Sequence, residues 1–139
     1  MAERRILGLD PGSRRIGVAL SDPTGTIATP LTVLDADAPD LARRLRELVA
    51  EHAVERIVVG RPTGLSGAPT AATESADRFA EFVAEATGLR VDRVDERFTT
   101  VIAERAMLEG DASRRKRRAR RDQVAAAVLL QGYLDASRR

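Results

Sequence analysis

The chain opens with three short apolar runs separated by turn residues. Arg4–Asp10 carries Ile6, Leu7 and Leu9 and ends on an acid. Pro11-Gly12-Ser13 is a turn, and Ile16–Ser21 follows closely enough to pair back as a hairpin. Asp22-Pro23-Thr24-Gly25 is a second turn, and Thr26–Leu34 supports a third strand that Pro30 weakens. The pattern predicts an antiparallel three-strand meander.

The period then changes from two to 3.6. Leu41, Leu45, Leu48, Val49 and His52 fall on one helical face, with Asp40 placed to cap it. Arg56–Gly60 is a short buried strand and Arg61–Ala68 a Gly/Pro-rich loop. A second helix buries Ala72, Ala76, Phe79, Ala80 and Val83 and stops near Gly88. Leu89–Asp95 reads as a fifth strand, and Thr99–Leu108 as a short helix closed by Gly110. Residues 109–118 are polar and charged and form the best candidate for a mobile segment. A final helix carries Val124, Val128, Leu129 and Leu134. The order βββ-α-β-α-β-α-α predicts an α/β fold: a mixed five-stranded sheet, a meander plus two further strands, with helices on both faces. With 139 residues and no linker, the expectation is one domain spanning 1–139.

Composition narrows the chemistry. The chain has no Cys and one His, His52, so a thiolate zinc site and a histidine cluster are excluded. A bound metal would take oxygen ligands, which selects Mg²⁺ or Mn²⁺. No apolar window reaches membrane-spanning length, so no membrane partner is expected and the cytoplasm is the default location. The net charge of +2 conceals an asymmetry. Arg114, Arg115, Lys116, Arg117, Arg118, Arg120 and Arg121 are seven of the 23 basic residues; without them 16 face 21 acidic residues. A local basic run on an otherwise acidic domain suits a polyanion.

Three acids stand at places where ligands of α/β sheets gather. Asp10 ends the first strand, Glu96 follows the fifth, and Asp122 lies in the first turns of the last helix. Ala126, Leu129 and Tyr133 fall within about 40° of Asp122 on that helix, so Asp122 should point towards the sheet. Small Ala125 and Ala126 allow close approach. Three convergent carboxylates repel one another, and a divalent cation offsets this and activates water for phosphodiester hydrolysis. Taken singly, each has a plainer reading: a turn for Asp10, a surface cluster for Asp95-Glu96-Arg97, a helix-dipole partner for Asp122.

Four blocks in order strengthen the combined reading. They are Gly8-Leu9-Asp10-Pro11-Gly12-Ser13 with Ile16-Gly17-Val18-Ala19; Val58-Val59-Gly60-Arg61-Pro62 with Gly67; Asp95-Glu96-Arg97-Phe98-Thr99-Thr100 with Ala103; and Asp122-Gln123-Val124-Ala125-Ala126-Ala127-Val128-Leu129-Leu130 with Tyr133-Leu134. This set resembles the YqgF family, also called RuvX, over nearly the whole chain. The resemblance implies an RNase H-like fold and a metal-dependent endonuclease. Its substrate would be either the 5′ end of precursor 16S rRNA or a Holliday junction, bound by a monomer or homodimer. It assigns Asp10, Glu96 and Asp122 as the catalytic and metal-holding acids. Arg97 and the basic run 114–121 are the expected nucleic-acid contacts, with Gly64–Gly67 secondary. Asp95 and Glu96, adjacent on a strand, should face opposite ways and not share an ion. Two rivals differ in class. A binding module of the same fold would bind without cutting. An actin-like ATPase shares the D-x-G turn but needs two such domains.

Overall fold

The computed structural model describes residues 5–63, 66–95 and 114–137, with side chains of the last segment described from residue 116. The strands are β1 (Arg5–Pro11), β2 (Arg15–Ser21), β3 (Ala28–Asp35), β4 (Val54–Arg61) and β5 (Arg90–Asp95). The helices are α1 (Leu41–Glu51), α2 (Ala71–Thr87) and α3 (Arg114–Ser137). The expected helix over 99–108 lies outside the described residues. The sheet order is β3-β2-β1-β4-β5. β1, β2 and β3 pair antiparallel, while β4 and β5 add in parallel. The predicted mixed sheet is therefore the one observed.

Alternation along the strands divides the core in two. Leu7, Leu9, Ile16, Val18, Leu20, Ile57 and Val59 face one way and pack with Leu41 and Leu45 of α1 and Ala80 and Val83 of α2. Ala19 and Val58 face the other way and pack with Ala126, Ala127, Leu130 and Leu134 of α3. β4 is apolar on both faces because both faces are covered, as parallel strands require.

Several helix ends depart from the sequence reading. Asp40 occupies the N-cap position of α1, but its side chain makes no cap bond and accepts from Arg43 Nη2 at 2.7 Å. The nearby guanidinium outcompetes the helix N–H groups and holds the Asp40 carboxyl below its usual range. α2 is closed by a reciprocal Thr70–Thr73 pair, with Thr70 N donating to Thr73 Oγ1 at 2.9 Å. It ends on Gly88, whose φ of 71° is the left-handed conformation glycine adopts readily. α3 starts no later than Arg114, so residues 114–118 are helical, and the rest of the expected mobile segment lies outside the described residues. The basic run is thus part of the helix rather than a lead-in to it.

A polar clasp fixes the far end of α3. Tyr133 Oη accepts from Arg56 Nη1 at 2.9 Å and donates to Asp92 Oδ2 at 2.7 Å. Arg90 Nε adds a bond to Asp92 Oδ1 at 3.0 Å. Burial opposes ionisation of Asp92, but the Tyr133 hydrogen bond and the two arginines outweigh it and lower its pKa. Tyr133→Phe leaves Asp92 and Arg56 without this bridge. The expected loss is about 1.5–3 kcal/mol in urea unfolding, the range for hydrogen bonds to charged groups.

The β2–β3 turn is organised by Asp22, whose Oδ1 accepts from Thr26 N at 2.7 Å and Ile27 N at 2.9 Å, with Thr24 Oγ1 donating to Oδ2. The Ile27 N–H, the Thr24 hydroxyl and the Thr26 N–H hold this carboxyl well below the usual range. A depressed folded-state pKa stabilises the protein above the unfolded value and loses that effect as pH falls. Unfolding titrations should therefore show stability declining below about pH 4, with a shallower decline in Asp22→Ala.

Candidate active site

The site is built where α3 meets the ends of β1 and β2. Asp10 pairs across the ladder with Gly17. Both lie on the α3 side, because Leu9 and Val18 face α1 and α2. Gly17 is a glycine for a definite reason. A Cβ placed on it would stand 1.9 Å from the carbonyl oxygen of Asp122. The helix backbone at Asp122 therefore rests directly on Gly17, beside Asp10. Further along, a Cβ on Gly8 would stand 2.9 Å from Leu130 Cβ. Gly8, Gly17 and buried Ala19 form the small floor that seats α3.

Asp122 is the ninth residue of α3 as described, so it is not a first-turn residue and the helix dipole does not explain it. Its Oδ2 accepts from Arg15 Nε at 2.6 Å, with the two side chains 28% and 36% exposed. Arg15 was not a sequence candidate. Its signal was its position two residues before Gly17, which places both on the same face of β2.

Of the three predicted acids, Asp10 lies on the strand position paired with Gly17, and the backbone of Asp122 rests on that same Gly17. Glu96 and Arg97 lie outside the described residues. Asp95 belongs to the opposite face. It lies two residues after Arg93 and shares its face; Arg93 pairs with Asp77 of α2 at 3.5 Å, and Asp95 accepts from Thr63 Oγ1 at 3.3 Å. Arg61 is also held there, by Asp77, with Nε donating to Oδ1 at 3.0 Å. Among the side chains described, the basic residues of the run do not share one helix face. Lys116, Arg117, Arg118, Arg120 and Arg121 are exposed on a helix, and at 100° per residue only Arg118 among them falls within about 40° of Asp122. Arg118 lines a cleft with Gly12, Ser13, Arg14, Arg15 and Asp122.

The donor set fits a hard divalent cation. Asp10 and Asp122 offer carboxylate oxygens, and the single His, His52, caps α1 against the other face of the sheet. Among the described residues no third His, Cys, Asp or Glu completes a cluster.

A meander continued by two parallel strands, with an acid ending β1 under the C-terminal helix, is the plan of RNase H-like proteins. Thermus thermophilus RuvC in complex with a Holliday junction substrate has a similar fold, with a TM-score of 0.56 at 16% identity over 97% of this chain and 96% of that one. The fowlpox virus Holliday junction resolvase gives a TM-score of 0.53 at 12% identity over 95% and 99%. The fold is of the RNase H-like class.

The particular family follows from the sequence. The model described as RuvX: Holliday junction resolvase matches residues 4–136, and the chain belongs to this family. A relative in Moorella thermoacetica is 50% identical over 133 residues, covering 94% of each chain. One in Desulforamulus reducens is 44% identical over 133 residues, covering 95% of this chain and 97% of its own. Both carry the name "Putative pre-16S rRNA nuclease".

Proposed function

We propose that this chain, acting as one domain over residues 1–139, is a magnesium- or manganese-dependent endonuclease of structured nucleic acid. Its proposed substrate is the 5′ region of precursor 16S rRNA, and its proposed location the cytoplasm. The observation that supports the catalytic reading is the seating of the Asp122 backbone on Gly17, the ladder partner of Asp10. The relatives' names favour precursor rRNA over a junction. Cleavage of branched DNA is the second reading, favoured by the family's description. Among the described residues no helix is long and apolar enough to cross a membrane.

Asp10 and Asp122 would hold the ion, with Glu96 as the proposed third ligand. A bound divalent ion supplies charge neutralisation and an activated water. The chain supplies the rest. Asp10 is fixed by the β1–β2 ladder, and Asp122 by its seat on Gly17 and its bond to Arg15. Rigid elements place both groups before substrate arrives, which is the arrangement that lowers reorganisation during reaction. Hydrolysis adds water across a P–O bond, leaving a phosphate on one fragment and a hydroxyl on the other. No covalent enzyme intermediate is required.

The test is cleavage of a labelled precursor 16S rRNA 5′ fragment and a labelled four-way DNA junction, with Mg²⁺, Mn²⁺ or chelator. Metal-dependent cutting of the rRNA fragment supports the reading. Preferential cutting of the junction moves the assignment to branched DNA. Binding of either without cutting favours a non-catalytic module.

A further inference from the structure

We propose that the β1–β2 turn is part of the nucleic-acid site: Arg14 and Arg15, with Arg118 of α3, form a phosphate-binding cleft beside Asp122, and Arg15 also positions the Asp122 carboxylate. This deepens the nuclease reading and rests on it.

The turn is held from both sides. Gly12 N donates to Arg15 O at 2.8 Å, and Ala36 N donates to Arg14 O at 2.9 Å. A Cβ on Gly12 would lie 2.8 Å from the Arg15 carbonyl oxygen, so a residue without a side chain closes this turn. Two consecutive arginines are thereby presented on fixed backbone rather than on a loose loop. Arg118 reaches the same cleft from above, one helical turn before Asp122. Three arginines and one aspartate thus line the same cleft, an excess of positive charge next to the proposed cutting position. The neighbouring cleft on the far side of Arg14 and Arg15 is bounded by Asp35 and Asp37. Those acids repel a phosphate backbone from that side, which leaves the arginine-rich cleft as the favoured one.

Arg15 has a second task. Its Nε bond to Asp122 Oδ2 spans two elements far apart in sequence and ties the carboxylate to β2. An ion pair this exposed adds little stability, about 0–1 kcal/mol. Fastening α3 does not by itself account for Arg14 and Arg118 gathering at the same cleft. Guanidinium forks suit phosphate geometry, and their contacts release counterions on binding.

The experiment uses the full chain. Affinity for the labelled four-way junction and the labelled precursor rRNA fragment is measured in chelator across a salt series. Single-turnover cleavage is then followed at saturating protein with Mg²⁺. Arg46→Ala, on exposed α1 at the other face, is the charge-matched control. Arg14→Ala and Arg118→Ala are each expected to weaken binding and to reduce the slope of log K against log salt by about 0.7–0.9 relative to Arg46→Ala. Arg15→Ala is expected to do the same and also to slow cleavage at saturation tenfold or more, with Arg15→Lys retaining the affinity but only part of the rate. Unchanged slopes in Arg14→Ala and Arg118→Ala, in a protein that binds and cuts, overturn the cleft while leaving the nuclease reading intact. An Arg15→Ala protein that cuts at the wild-type rate once saturated overturns the positioning role. Wild-type protein that binds neither nucleic acid overturns both the inference and the reading beneath it.

Discussion

Asp10→Asn and Asp122→Asn are each expected to reduce metal-dependent cleavage at least about 10³-fold, with folding little changed. The magnitude follows from what the carboxylates do. A divalent ion contributes several kcal/mol of charge stabilisation, and each 1.4 kcal/mol is a factor of ten in rate. Asparagine keeps the size of the side chain and one oxygen but removes the negative charge that attracts the ion. The two losses should not multiply in the double variant if, as proposed, both residues act through one site. Asp10 sits half-buried at the end of β1, and Asp122 is only partly buried on α3, so neither substitution opens a cavity. A denaturation midpoint near wild type with cleavage lost in both variants is the expected pair of results.

Gly17→Ala is expected to damage the protein through the same contact by a different route. The added methyl would meet the Asp122 carbonyl oxygen at 1.9 Å, far inside any allowed contact. The obstacle is helix backbone and not the end of a flexible side chain, so α3 must lift from β2. Overpacking of this kind costs about 1–3 kcal/mol, and the lifted helix also carries Asp122 away from Asp10. The variant should therefore show a lower melting temperature and a cleavage rate reduced well beyond what its remaining folded fraction explains. A Gly17→Ala protein with wild-type stability and rate would mean that α3 does not rest on β2 as described. Gly8→Ala is milder in prospect, since its nearest neighbours are atoms of the Leu130 side chain, the closest at 2.9 Å.

Much of this arrangement was legible before any coordinates. Alternation in β1 and β2 and the 3.6-residue period in α1 and α2 gave the elements, because burial on one face writes itself into residue type. The small residues Ala125 and Ala126 signalled close approach of the last helix. The complementary half of that contact was not seen. Gly17 and Ala19 were noted only as part of a motif, since a glycine within a strand does not announce what lies above it. The start of α3 was misjudged for a related reason. Arginine has good helix propensity, but a run of like charge reads as a solvated segment unless tertiary contacts downstream are known to hold the helix. On a helix Arg118 then faces away from Arg117 and Arg120, so these three do not share one face. Arg15 escaped notice because its partner Asp122 is 107 residues away, and no local pattern encodes such a pairing. Asp40 shows the opposite error, where a sound local rule for capping lost to a neighbouring arginine.

In the proposed site Asp10 and Asp122 hold one metal ion between them. Its most direct test is Mn²⁺ binding followed by electron paramagnetic resonance, without nucleic acid, in the wild-type, Asp10→Asn and Asp122→Asn proteins, each first shown to be folded by circular dichroism. Bound Mn²⁺ is expected in the wild type, with its loss, or a large fall in affinity, in both variants. Wild-type binding that survives unchanged in both folded variants would contradict the proposed site.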